Sequence, residues 1–111
     1  MSDCLFCKIV SGEIPSKKVY EDEYVLAFED INPLAKVHVL VIPKKHIKDC
    51  NEINSENIED IKNVILAIKE VAKICNIKET GYRIISNTGK DSGQEVGHLH
   101  FHLLGGQKLS V

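Results

Sequence analysis

The sequence predicts an α+β fold in which one long helix covers a largely antiparallel sheet. Two observations carry this: a single apolar stripe of helical period after Ser55, and several short β-forming runs, mostly joined by turns rather than by helices. At 111 residues the chain is expected to make one domain, 1–111, long enough for one core and too short for two. Its 43% hydrophobic and 27% charged residues, with 7 Gly and 3 Pro, are those of a folded globular chain rather than a collagenous or disordered one.

Over residues 18–28, Val19, Tyr20, Tyr24, Val25, Leu26 and Phe28 are β-formers broken by the acidic Glu21, Asp22 and Glu23, which predicts a hairpin. Residues 37–42 form a β-branched run closed by Pro43, the pattern of a strand buried on both faces, and His38 interrupts it. Ser55 is the expected N-cap of the helix, with Glu56 and Glu59 near the positive end of its dipole. Ile58, Ile61, Ile65, Ile68, Ala72 and Cys75 recur at steps of three and four, widened by Val64 and Val71, while Lys62, Lys69, Glu70 and Lys73 take the other side. A strand is predicted over 82–86, then a polar loop over 87–97 holding Gly89, Gly93 and Gly97, and a last strand over 98–104.

Fourteen Lys and Arg against sixteen Asp and Glu give a net charge of -2, so no bulk positive field recruits a nucleic acid polymer or an anionic membrane. The longest apolar stretches, 37–43 and 64–68, fall far short of the ~18 residues a membrane span needs. The opening Met1-Ser2-Asp3-Cys4 lacks the basic and apolar regions of a signal peptide, so the expected setting is the cytoplasm. There, the four cysteines read as thiols or metal ligands before disulfides.

In a continuous strand, side chains alternate, which predicts His98, His100 and His102 on one face at ~7 Å spacing, with Leu99, Phe101 and Leu103 on the other. Such a row could be a solvated polar face. It could be a metal site, although same-face neighbours diverge too widely for all three to reach one ion at ~2 Å. It could also be phosphoryl chemistry, with one neutral imidazole attacking phosphorus while backbone N–H groups of the loop at Asn87, Gly89 and Gly93 hold the oxygens. Three histidines in five positions beside a glycine-containing loop favour the last.

The run His98-Leu99-His100-Phe101-His102-Leu103-Leu104 resembles the alternating histidine signature of the histidine triad (HIT) superfamily of nucleotidyl hydrolases and transferases. Cys4-Leu5-Phe6-Cys7-Lys8-Ile9, Gly12-Glu13-Ile14-Pro15, Leu26-Ala27-Phe28-Glu29-Asp30-Ile31, the stretch from His38 to Ile47, and Gly93-Gln94-Glu95-Val96 resemble its Hint branch. A histidine at 102 departs from the galactose-1-phosphate uridylyltransferase branch, which carries glutamine there; the dinucleoside polyphosphate hydrolase branch is a closer competitor. The resemblance implies a HIT fold: a five-stranded, mostly antiparallel sheet with one long helix and a short N-terminal helix, the sheet extended across a homodimer.

It further implies that His100 is the nucleophile, with His102 and His38 flanking the phosphate. Asp30 matches the acid that accepts from the ribose hydroxyls, and Phe6, Ile9, Phe28 and Ile31 match apolar walls around the base. Core packing alone would also account for each of those four. Asn87, Gly93 and Gln94 match phosphate-side contacts; Glu95 stands where many Hint proteins have serine, so there only its backbone N–H is expected to assist a phosphate. The implied substrates are purine nucleoside phosphoramidates, hydrolysed in two steps without a catalytic metal. Dinucleoside polyphosphate hydrolysis, or a nucleotide- or protein-binding module with incidental hydrolysis, are the alternative readings.

Cys4 and Cys7 could be half of a zinc site, a redox pair or free thiols. A thioredoxin-type pair should follow a strand and open a helix within a βαβ unit, and no strand precedes this one. By resemblance, His46 and His98 complete a Cys₂His₂ structural zinc site, and Cys50 and Cys75 are left as packing residues. Hint proteins commonly continue past Gly105-Gly106 into a segment with tryptophan and prolines, whereas this sequence ends Gln107-Lys108-Leu109-Ser110-Val111, so looser leaving-group selectivity is expected.

Overall fold

In a computed structural model the structure describes residues 3–110; Met1 and Ser2, on which the signal-peptide expectation partly rests, and Val111 lie outside the described residues. Five strands form one sheet of order β1-β2-β3-β5-β4, with β1 at Lys18–Glu21, β2 at Val25–Glu29, β3 at Val37–Pro43, β4 at Tyr82–Ile85 and β5 at Phe101–Gly105. Every neighbouring pair is antiparallel. Helix α1, Leu5–Ser11, and helix α2, Ile58–Ile74, complete the fold. Among the described residues no helix is long and apolar enough to cross a membrane.

The β1–β2 hairpin forms where the acidic turn was read, because Asp22 closes it. Its carboxylate accepts from the backbone N–H groups of Tyr24 and Val25, both at 2.8 Å, and from the Tyr20 hydroxyl at 2.7 Å. Strand β3 lies between β2 and β5 and is buried along nearly its whole length, as a β-branched run should be. Alternation divides the core in two. Val25, Ala27, Val39, Val41 and Leu103 meet α2, while Leu26, Phe28, Leu40 and Ile42 meet Phe6 and Ile9 of α1.

Three expectations are corrected. Helix α2 starts two residues later than read, at Asn57 rather than Ser55, because Asn54 and Asn57 bind each other's backbone. Oδ1 of Asn54 accepts from Asn57 N–H at 3.2 Å and from Glu56 N–H at 2.8 Å, while Oδ1 of Asn57 accepts from Asn54 N–H at 2.8 Å. The buried stripe of α2 is also rotated: Val64, Ala67, Ile68, Val71 and Ala72 face the sheet, while Ile58 and Ile65 are 47% and 43% exposed. Helix α2 packs on β1, β2 and β3, and those two isoleucines lie on its uncovered flank.

The third correction concerns the last strand, which starts at Phe101 and not at His98. Ladder pairing with β3 ends at Val41↔Phe101, and Pro43 has no N–H to extend it. Residues 98–100 are held instead by individual bonds: Leu99 N–H donates to Ile47 carbonyl at 2.6 Å, and the His98 ring reaches the Pro43 carbonyl at 2.8 Å. The three imidazoles therefore do not form one row on a strand.

Candidate active site

The β3–β5 register pairs Leu40 with His102 and His38 with Leu104, so His38 and His102 are diagonal neighbours on the face that α1 covers. Nε2 of His38 lies 2.9 Å from Nδ1 of His102. The other ring nitrogen of His38 accepts the backbone N–H of Leu34 at 3.0 Å. A nitrogen that accepts carries a lone pair, so neutral His38 bears its proton on Nε2 and donates it to His102. His102 in turn bears its proton on Nε2. Burial pushes both rings below the ordinary imidazole range; for His102 the neighbouring His100 and His38 add to this, and Asp30 opposes it for both. At neutral pH the pair is uncharged, so the 3.4 Å approach of Asp30 Oδ2 to His38 Nε2 is a polar contact rather than an ion pair.

His100 has the opposite polarity. Its Nδ1 lies 2.7 Å from the His98 carbonyl oxygen, which can only accept, so Nδ1 holds the proton and Nε2 keeps a lone pair. His100 is buried, with the Phe6 ring edge-on at 5.1 Å and His102 at 5.1 Å between centroids. The structure thus sets an imidazole lone pair beside an imidazole N–H.

His100 and His102 line a cleft of about 760 Å³. Its apolar side is Phe6, Ile9, Phe28 and Leu40, with Phe6 and Phe28 edge to face at 5.5 Å. Asp30 and Ile31 stand at one part of its lining, and Ile31 is 91% exposed, a lip rather than a packed wall. Asn87, Gly93, Gln94 and Glu95 line it as well, so these expected residues all meet in one place. Gly93 takes φ +84, the left-handed conformation that the end of the short 3₁₀ turn at Lys90–Ser92 requires. The Gln94 side chain is committed to the loop: Oε1 accepts from Gly89 N–H at 2.8 Å, and Nε2 donates to the carbonyls of Lys48 and Val96, both at 3.0 Å. A second groove of about 660 Å³, beside Tyr82, Arg83 and Gln107, is lined by neither histidine nor carboxylate among the described residues.

Sequence reading missed Ser16 and Lys17 in the cleft lining, and it could not say which backbone groups, here those of Leu34, Pro43 and His98, would meet the imidazoles. Ser16 Oγ is buried and has no hydrogen-bond partner among the described residues. Backbone partners have no side-chain signature, so no signal was available for them.

The first histidine of the run turns elsewhere. Nδ1 of His98 lies 3.4 Å from Sγ of Cys4 and 3.6 Å from Sγ of Cys7, and Nδ1 of His46 lies 3.2 Å from Sγ of Cys7. All four donor atoms fall within 4.8 Å of one another. A tetrahedral zinc with ordinary bond lengths gives S···N edges of about 3.6 Å, so the cluster fits such an ion. The His98 ring adds a second indication: its Nε2–H donates to the Pro43 carbonyl, which turns the Nδ1 lone pair toward the thiols. At the N-terminus of α1, Sγ of Cys4 also accepts the Cys7 backbone N–H at 3.4 Å, which fixes the side chain toward the cluster.

A five-stranded antiparallel sheet with two helices, and a paired-histidine cleft opening from its central strands, define the HIT class of fold and site. The HIT domain matches residues 11–109, and the chain belongs to that family. Among its relatives, an uncharacterized HIT-like protein of Buchnera aphidicola is 46% identical over 110 residues, covering 99% of this chain and 98% of the relative. A purine nucleoside phosphoramidase of Escherichia coli K12 is 43% identical over 107 residues, covering 96% and 90%. Among solved structures, a HIT family hydrolase from Clostridium thermocellum superposes with a TM-score of 0.96 at 49% identity, over 100% of this chain and 96% of that one.

Proposed function

We propose that this protein hydrolyses purine nucleoside phosphoramidates to a nucleoside monophosphate and a free amine through a nucleotidyl-histidine at His100. The observation that carries the reading is the pair of opposed tautomers, a lone pair on His100 beside an N–H on His102. Nε2 of His100 forms a bond to the α-phosphorus as the phosphorus–nitrogen bond of the substrate breaks, and the departing amine takes up a proton from solvent, which the second step returns. His102 Nε2–H donates to a non-bridging oxygen, and His38 holds it in that tautomer. Water then displaces His100, releasing the nucleotide and returning one proton. Phe6, Ile9, Phe28 and Ile31 border the base, Asp30 accepts from the ribose, and the backbone of Asn87, Gly93, Gln94 and Glu95 faces the phosphate. The name of the Escherichia coli relative supports this substrate class.

The same reading includes a structural zinc on Cys4, Cys7, His46 and His98, which would pin α1 to the sheet, and a cytoplasmic setting that keeps the thiols reduced. It includes a homodimer. Strand β4 is an unpaired sheet edge carrying Ile84 at 45% exposure on the face shared with α2, whose Ile58 and Ile65 are also exposed, and a second copy would bury them together. Sedimentation of wild type against Ile84→Lys tests this: a dimer that the substitution dissociates supports it, and a wild-type monomer rejects it.

For the activity, adenosine 5′-phosphoramidate and diadenosine tetraphosphate are offered to wild type and His100→Ala, with intact mass recorded during turnover. Preferred phosphoramidate turnover with a transient nucleotidyl mass, both absent in the variant, is the expected result. Turnover retained by His100→Ala, or no turnover of either compound by wild type, would overturn the reading.

A further inference from the structure

Cys4 and Cys7 bracket Phe6 on the first turn of α1, so the segment that supplies two metal donors also supplies the aromatic wall of the cleft. The Phe6 ring stands edge-on to both sites, with centroids 6.0 Å from His98 and 5.1 Å from His100. His98 crosses the same boundary by a second route. Its ring belongs to the Cys/His cluster, and its backbone carbonyl receives the Nδ1–H of His100 at 2.7 Å, the bond that leaves Nε2 with its lone pair. The next peptide is tied to the other histidine donor, since Leu99 N–H donates to the carbonyl of Ile47, the residue after His46. Packing this close cannot absorb a shift on one side without a response on the other.

We infer that metal occupancy at Cys4, Cys7, His46 and His98 and nucleotide binding in the cleft are energetically coupled through Phe6 and His98. The inference rests on the nucleotide-site reading above. Phe6 and His98 act as positioning residues: a held α1 turn sets the Phe6 ring against the base, and a held His98 fixes the carbonyl that orients His100. Coupling of binding energies is reciprocal, so the metal must tighten the nucleotide by the factor by which the nucleotide tightens the metal.

The test measures AMP affinity by calorimetry in zinc-loaded and chelator-stripped protein under reducing conditions, and zinc affinity by chelator competition with and without saturating AMP. Both factors are expected to agree at roughly 10-fold, within the usual range of such couplings. Phe6→Leu keeps an apolar wall, both thiols and the His98 route, and is expected to lower the factor to about 3-fold while AMP still binds, more weakly. In Co²⁺-loaded protein, AMP should shift the visible cobalt bands of wild type, and shift those of Phe6→Leu less. This reading needs no stripped protein and decides the matter if metal removal unfolds the chain. Equal AMP affinities in both metal states of folded protein would overturn the coupling alone, as would a factor unchanged in Phe6→Leu, the result that simple linkage to folding gives. Absence of AMP binding in the loaded protein would overturn the coupling together with the functional reading.

Discussion

Nε2 of His38 and Nδ1 of His102 are 2.9 Å apart, and the direction of their hydrogen bond is set from outside the pair, by the Leu34 N–H at His38 Nδ1. One backbone donor therefore decides which nitrogen His102 presents to the cleft. Protonating His102 on Nδ1 would set two N–H groups against each other, so acid should break the arrangement.

The pH dependence follows in sign. Burial, the leading cause for both rings, places their folded pKa values below the ordinary value of about 6.5, so the unfolded chain takes up protons first as pH falls. Stability from these groups is present above that unfolded value and is lost as pH drops through it toward the folded values. Ring ¹⁵N titrations of His38 and His102 should give midpoints below about 6.5, with a urea midpoint that declines from pH 7 to 5. Midpoints at or above the ordinary value for both rings would reject the assigned chain of donors.

Replacing His38 by Ala leaves His102 free to exchange tautomers. Turnover of the phosphoramidate should fall by ~100-fold, the scale of a misdirected acid–base partner, with AMP affinity changed far less. Steady-state kinetics beside calorimetry read this split, and a His38→Ala protein as fast as wild type would remove His38 from the mechanism.

Ser16→Ala should stabilise the ligand-free protein. The hydroxyl oxygen is buried without a partner among the described residues, a situation that costs ~1–3 kcal/mol, and an alanine methyl has no such requirement. A gain of about 1 kcal/mol in urea denaturation is expected, whereas a loss would mean the hydroxyl has a partner in solution.

Glu95 is exposed in the cleft lining, together with Glu29, Asp30 and one lysine, Lys17, that itself approaches Glu29 at 3.7 Å. The surplus of negative charge disfavours a polyphosphate leaving group and tolerates an amine. Glu95→Gln should therefore raise kcat/KM for diadenosine tetraphosphate relative to the phosphoramidate by about 2- to 5-fold at low salt, the worth of one exposed charge. The gain should shrink as salt screens it. A ratio that does not move would leave Glu95 without a part in selectivity.

Much of the fold was legible because it depends on local pattern. Asp22 closes the hairpin, the β-branched run of β3 lies in mid-sheet, and α2 forms over its periodic stretch. The misreadings have local causes as well. Ile65 fits a helical stripe by spacing, yet spacing does not say how far the helix extends over the sheet. Ser55 is a good capping residue, but Asn54 and Asn57 compete for the same backbone. The even alternation of His98, His100 and His102 assumed a continuous strand, and the strand begins only at Phe101.

By itself, then, the sequence determined which residue types were available and where strands and helices form, since turns, caps and apolar periods act over a few neighbours. Resemblance added the grouping of Cys4, Cys7, His46 and His98, whose donor atoms the fold gathers within 4.8 Å. Tertiary structure alone decided what each imidazole can do. His38 meets His102 across 64 residues through the β3–β5 register, and His98 meets the Pro43 carbonyl across 55. The partners that set lone pair against N–H are backbone groups of Leu34, Pro43 and His98, and a backbone group is the same at every residue until the fold gives it a neighbour.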